Sequence, residues 1–175
     1  MMATPTAIQR LDRNARKLLP AVTTLLLGIL VVIPLGIPEW GALAPPFMVA
    51  AVYYWSLARP GLLPPSAAFL LGLFQDLLTG APIGSGALIL VLVQWILRSQ
   101  QRFLGNRPFP LLWLGFAPVV FGAAIVEWMV YSLFTFTPAP IAQALVRALL
   151  GFVLFPVVAG LVLIPVHRAL SEKLA

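Results

Sequence analysis

The chain has no cysteine and a single histidine, His167. Disulfides, thiol nucleophiles and thiolate-held metals are therefore excluded, and one imidazole cannot build a metal cluster. Charge is also scarce. Only 9% of the residues are charged, against roughly 25% in a soluble domain. So few charges cannot cover a water-facing surface on a chain that is 61% hydrophobic. The surrounding medium must largely be lipid. Acids are the scarcer sign, with five against eleven basic residues and a net charge of +6. A nucleic-acid partner would need a basic face interleaved with stacking aromatics. Here the basic residues fill short breaks between apolar runs, as in the loops of a membrane protein. No glycine-rich loop opens onto a lysine to cradle a phosphate, and no Ser–His–Asp arrangement is plausible. The chain reads as non-enzymatic, with no cofactor and no metal.

What is present is apolar length. A hydrocarbon core of ~30 Å needs ~20 apolar residues in a helix. Such runs predict an all-α integral membrane bundle of about six spans, near 18–37, 41–58, 62–79, 84–97, 109–136 and 143–166. A basic segment, 1–17, precedes this 18–167 membrane domain, and a short tail, 168–175, follows it. The third and fourth spans are divided at Thr79 to Gly86, where glycine and proline are too dense for a helix. The turn Thr137-Pro138-Ala139-Pro140 divides the last two. Pro118, Pro156 and Pro165 are candidate bends, and Gln94 a helix-packing hydrogen bonder. The first run is longer than a signal-peptide core, so a retained span is expected despite Ala42-Leu43-Ala44. No internal repeat is visible.

Orientation follows from the cations. Six spans put Arg10, Arg13, Arg16, Lys17, Arg59, Arg98, Arg102, Arg107, Arg168 and Lys173 on one side. The opposite turns hold Glu39 and no basic residue. Basic residues stay in the cytoplasm, so both termini are expected there. Trp40, Tyr53, Tyr54, Trp55, Trp95 and Trp113 fall near the expected interfaces.

Asp76, Glu127 and Arg147 are the ionisable residues inside spans. An ionised group at mid-bilayer costs ~2.5–3.5 kcal/mol, so it faces protein, water or a partner charge. At ~1.5 Å per residue all three fall in the outer half of the bilayer. One buried cluster tying three helices together is the expectation. The bland alternative places Asp76 at the interface beside the Gly80–Gly86 turn and leaves Arg147 to neutralise a single acid. Helical spacing groups Ala68, Gly72, Asp76 and Gly80 on one face, then Ala123, Glu127 and Tyr131, then Gln143, Arg147 and Gly151. Small residues at that spacing let membrane helices pack closely.

The run Gly72-Leu73-Phe74-Gln75-Asp76-Leu77-Leu78-Thr79-Gly80-Ala81-Pro82-Ile83-Gly84 resembles the bacterial rod shape-determining protein MreD family. In that family a Gly-Leu-x-x-Asp segment ends a span and is followed by a glycine/proline turn. The resemblance implies a multi-pass protein of the bacterial inner membrane, acting as a non-catalytic scaffold or regulator of cell elongation, cell shape and peptidoglycan synthesis. Implied partners are MreC, RodA with its penicillin-binding transpeptidase, MreB at the cytoplasmic face, and membrane lipids. Asp76, Gly72, Gly80 and Gly84 carry over by motif, with Pro82 in the turn; Glu127 and Arg147 rest on depth alone. The family bundle is also similar to the substrate-binding components of energy-coupling-factor transporters. That similarity supplies an alternative, in which Asp76, Glu127 and Arg147 line a pocket for a small, vitamin-type solute.

Overall fold

A computed structural model describes the backbone of residues 7–33, 44–104, 107–136 and 140–172, and the side chains of residues 18–33, 44–101, 107–136 and 140–168. Every regular element among them is helical: α1 (Ala7–Val32), α2 (Phe47–Ala58), α3 (Pro65–Thr79), α4 (Ser85–Leu104), α5 (Phe109–Thr135) and α6 (Ile141–Val158). A π segment, Ala159–Leu163, joins α6 to α7 (Ile164–Glu172). Phe109–Thr135 and the continuous run Ile141–Arg168 are long and apolar enough to cross a membrane.

Proline starts four of these helices. Pro46, Pro64, Pro108 and Pro140 stand immediately before α2, α3, α5 and α6. The first amides of a helix have no partner inside it, and a first-turn proline has no amide to leave unsatisfied. That economy matters most in lipid, where no water can fill the vacancy. The same prolines shorten helices from their N-terminal ends. α2 begins at Phe47, well inside the apolar run that starts near residue 41, because Pro45 and Pro46 precede it. At 12 residues it is only ~18 Å long.

α2 is the centre of the bundle. Met48 to Tyr53 and Trp55 to Leu57 are all buried, and α1, α4, α5 and α6 pack around it. An apolar surface on all sides is what such a position demands. Two of its aromatic side chains find polar partners across helices. The Tyr53 hydroxyl donates to the Leu112 carbonyl oxygen at 2.7 Å, and the Trp55 indole donates to Thr23 Oγ1 at 3.1 Å. The Tyr53 ring packs against Phe116 and Phe155, which stack on each other with centroids 4.5 Å apart.

Prolines inside helices also serve packing. Pro156 has no amide for the Phe152 carbonyl one turn earlier, and that oxygen accepts the Trp113 indole N–H at 2.8 Å. Gln94 donates through Nε2 to the Leu63 carbonyl at 2.5 Å and ties α4 to the α2–α3 connection. Glu39, Trp40, the Thr137–Ala139 turn and the side chains of Arg10, Arg13, Arg16, Lys17, Arg102 and Lys173 lie outside the described residues.

Candidate functional site

Asp76 sits in the last turn of α3 and is buried, with 1% of its surface exposed. Its partners lie in the next helix. Oδ2 accepts the Gly84 amide at 2.8 Å; Oδ1 accepts the Gly86 amide at 2.7 Å and the Ser85 hydroxyl at 3.2 Å. A carboxylate from one helix thus caps the N-terminus of its neighbour, where unpaired amides and the helix dipole favour negative charge.

Glycines make this reach possible. Gly80 ends α3 at φ 68° and Gly84 precedes α4 at φ 98°, in the left-handed region that side chains disfavour. With Pro82 between them, the chain reverses and returns α4 against α3. A methyl group at Gly86 would lie 2.5 Å from Asp76 Oδ1. One at Gly72 would fall on the backbone of Ala87 and 2.6 Å from the carbonyl carbon of Gly86. Gly72 and Gly86 therefore hold the two helices in backbone contact, and Asp76 closes the hairpin above them.

Glu127 on α5 and Arg147 on α6 form an ion pair, with Nη1 2.9 Å from Oε1. The Arg147 Nε also donates to the Ala44 carbonyl oxygen at 3.2 Å, just ahead of α2. Gly151, one turn further on, packs on Pro46, which leaves no room there for a larger side chain. The expected three-residue cluster is therefore two separate arrangements. Asp76 is satisfied within its own hairpin, where partners eight to ten residues away close more readily than an arginine on a distant helix. All three residues border one cavity of about 670 Å³ between α2, α3, α5 and α6.

The pair is partly exposed to that cavity, with 24% and 39% of the two side chains accessible. Glu127→Gln or Arg147→Gln alone is expected to destabilise the bundle by about 1 kcal/mol, near the upper end for exposed pairs. The double variant should lose no more than either single one when thermal unfolding is followed in mild detergent. Additive losses would mean that the two side chains act separately.

The polar groups of the arrangement are engaged with one another. Each oxygen of Asp76 already carries a donor, and Ser85 has no base beside it other than that carboxylate. His167 packs against Trp55 near the opposite end of α2. Among the described residues no group of three acids or histidines converges as a metal site. The roles of Ser85 and Gly86 as the receiving half of the cap do not follow from the sequence pattern. A spacing of ten residues across a glycine-rich turn is the signal that points to them.

Comparison with known proteins bears on the same segment. The family model for the rod shape-determining protein MreD matches residues 12–164. The rod shape-determining protein MreD of Haemophilus influenzae is 32% identical over 89 residues, covering 51% of this chain and 53% of that protein. The chain thus spans about half the length of the curated relative it matches. No solved structure matches. With the family model matching nearly the whole membrane bundle, Gly72–Asp76 hairpin included, the chain belongs to the rod shape-determining protein MreD family.

Proposed function

We propose that this protein is a non-catalytic scaffold of the bacterial cell-elongation machinery. It crosses the inner membrane six times, keeps both termini in the cytoplasm and acts on peptidoglycan synthesis by holding MreC. RodA, its penicillin-binding transpeptidase and the MreB filament would then be reached through the same assembly. Family membership carries the rod-shape role. The observation that favours holding over chemistry is the use of polar groups. Asp76 is consumed by the α3–α4 hairpin, and Glu127 and Arg147 are consumed by each other and by Ala44.

The proposed topology draws support from the described cations. Arg59 ends α2 and Arg98 reaches the Leu63 carbonyl in the following connection at 3.3 Å. Arg107 precedes α5, and Arg168 lies in α7. Family membership does not favour the solute-transport alternative.

Depletion in a rod-shaped host is expected to give rounded cells, and MreC should copurify with the tagged protein in mild detergent. Cells that kept their width and shape on depletion would defeat the proposal. Retained rounding without MreC capture would leave the rod-shape role and reject the partner.

A further inference from the structure

The helical run from α6 into α7 holds a register that its own side chains do not require. Gly151, Phe155, Ala159 and Leu163 are buried. His167, next at the same spacing, stacks on Trp55 with centroids 6.2 Å apart and planes 6° apart. An α-helix cannot keep so strict a four-residue spacing on one side. At about 100° per residue, His167 would stand about 160° round the axis from Gly151. The π segment Ala159–Leu163 corrects the drift. The Ile164 amide donates to the Ala159 carbonyl, five residues back instead of four. One extra residue is taken up in that turn, and everything beyond it lags by about 100°.

A second set of side chains fits the uncorrected helix. In a regular α-helix Val158, Val162 and Val166 all fall within about 60° of Gly151. Val158 and Val166 already pack at the edge of the core, and Val162 is half-buried. Without the π turn, Val162 replaces Leu163 and Val166 replaces His167 against α2. Each arrangement carries a cost. The π register interrupts the regular hydrogen-bond ladder. It also leaves His167 Nδ1 buried, with no hydrogen-bond partner among the described residues. The α register gives up the Trp55 stack and the edge contact of His167 with Tyr54 at 6.0 Å. Little obstructs rewinding between the two. Gly160 brings no side chain to the segment, and Pro165 supplies no amide to the turn before it.

We propose that the end of α6 and α7 together form a two-register element. In the π register His167 is seated on Trp55. In the α register α7 turns by about 100°, Val166 takes the place of His167 and the imidazole swings out of the bundle. The turn re-aims α7 and the chain beyond it, so a partner that recognises one face of α7 would select one register. The device goes beyond the scaffold role and assumes no particular partner.

Fluorine NMR of the full chain, labelled with fluorotryptophan in mild detergent, tests this. The Trp55 signal is identified by its loss in Trp55→Phe. A second Trp55 line or exchange broadening is expected, from a minor register populated at roughly 0.1–10%. Deleting Leu161, which is 75% exposed, removes the extra residue. A regular α-helix then keeps Leu163 and His167 toward α2. The minor population should fall about tenfold or more while the main line holds its position. If the deletion variant fails to fold, His167→Phe carries the test. It keeps a ring on Trp55, removes the unpaired nitrogen and should lower the minor population several-fold. A single Trp55 line without exchange in the parent would overturn the proposal. So would exchange that persists unchanged in the deletion variant, or in His167→Phe where that variant stands in for it.

Discussion

Asp76→Ala is expected to lower the unfolding midpoint of the detergent-solubilised protein more than loss of either member of the Glu127–Arg147 pair. The difference lies in what is left behind. Removing Glu127 leaves a guanidinium that still has the Ala44 carbonyl and a cavity into which it can turn. Removing Asp76 strands two backbone amides and a hydroxyl at the start of α4. A buried donor without a partner costs about 1–3 kcal/mol. Gly84 is only partly buried and recovers some of that from water, so the expected loss is about 3 kcal/mol.

Asp76→Asn separates charge from shape. The amide keeps one oxygen acceptor but points an NH₂ group at donors, and about half of the alanine effect should remain. Asp76→Glu keeps the charge and adds a methylene where Gly86 already stands in contact. It should be no better than asparagine. Thermal unfolding in one detergent, with capture of the elongation partners measured in parallel, distinguishes two roles. A variant that melts like the parent yet loses its partners would make Asp76 a docking residue and overturn the hairpin account.

Much of this hairpin is legible in the sequence, and the limits are physical. Glycine and proline density between Thr79 and Gly86 marks the break, since few other residues tolerate the backbone that Gly80 and Gly84 adopt. The position of Asp76 within α3 follows from its place in the run. Its partner does not, because rise per residue fixes depth and says nothing about azimuth. Three ionisable groups at one depth invite a single cluster, whereas short loop closure assigns Asp76 to its own turn. The Glu127–Arg147 pair is better determined. The two residues stand roughly equally far from the Thr137–Pro140 turn, so an antiparallel hairpin brings them level.

Two features leave almost no trace in the sequence. α2 is apolar on every side, and lipid and protein neighbours impose the same composition on such a helix. Only the late start imposed by Pro45 and Pro46 hints that it is a short central strut. The π segment is equally silent. Pro156 and Pro165 announce an irregular helix, but no residue pattern locates the five-residue bond from the Ile164 amide to the Ala159 carbonyl.

Gly72→Ala should be at least as damaging as loss of the aspartate, although intrinsic propensity argues the other way. Alanine in a helix interior is favoured over glycine by about 1 kcal/mol. Against this stands the backbone of Ala87, which an added methyl group would overlap and which, unlike a side chain, cannot swing aside. Forcing apart a tightly packed contact costs about 1–3 kcal/mol. The displacement also pulls α4 away from Asp76 and weakens the cap, worth a further ~1.5–3 kcal/mol. The losses outweigh the propensity gain, and a net destabilisation of about 3 kcal/mol is expected. Gly122 supplies the control. It lies inside α5, and an added methyl group there meets nothing within 4 Å. Gly122→Ala should therefore be neutral or stabilising by up to about 1 kcal/mol. Opposite signs for two chemically identical substitutions, read as unfolding midpoints in the same detergent, would show that close approach of α3 and α4 makes Gly72 necessary. Matching signs would leave the α3–α4 contact without that support.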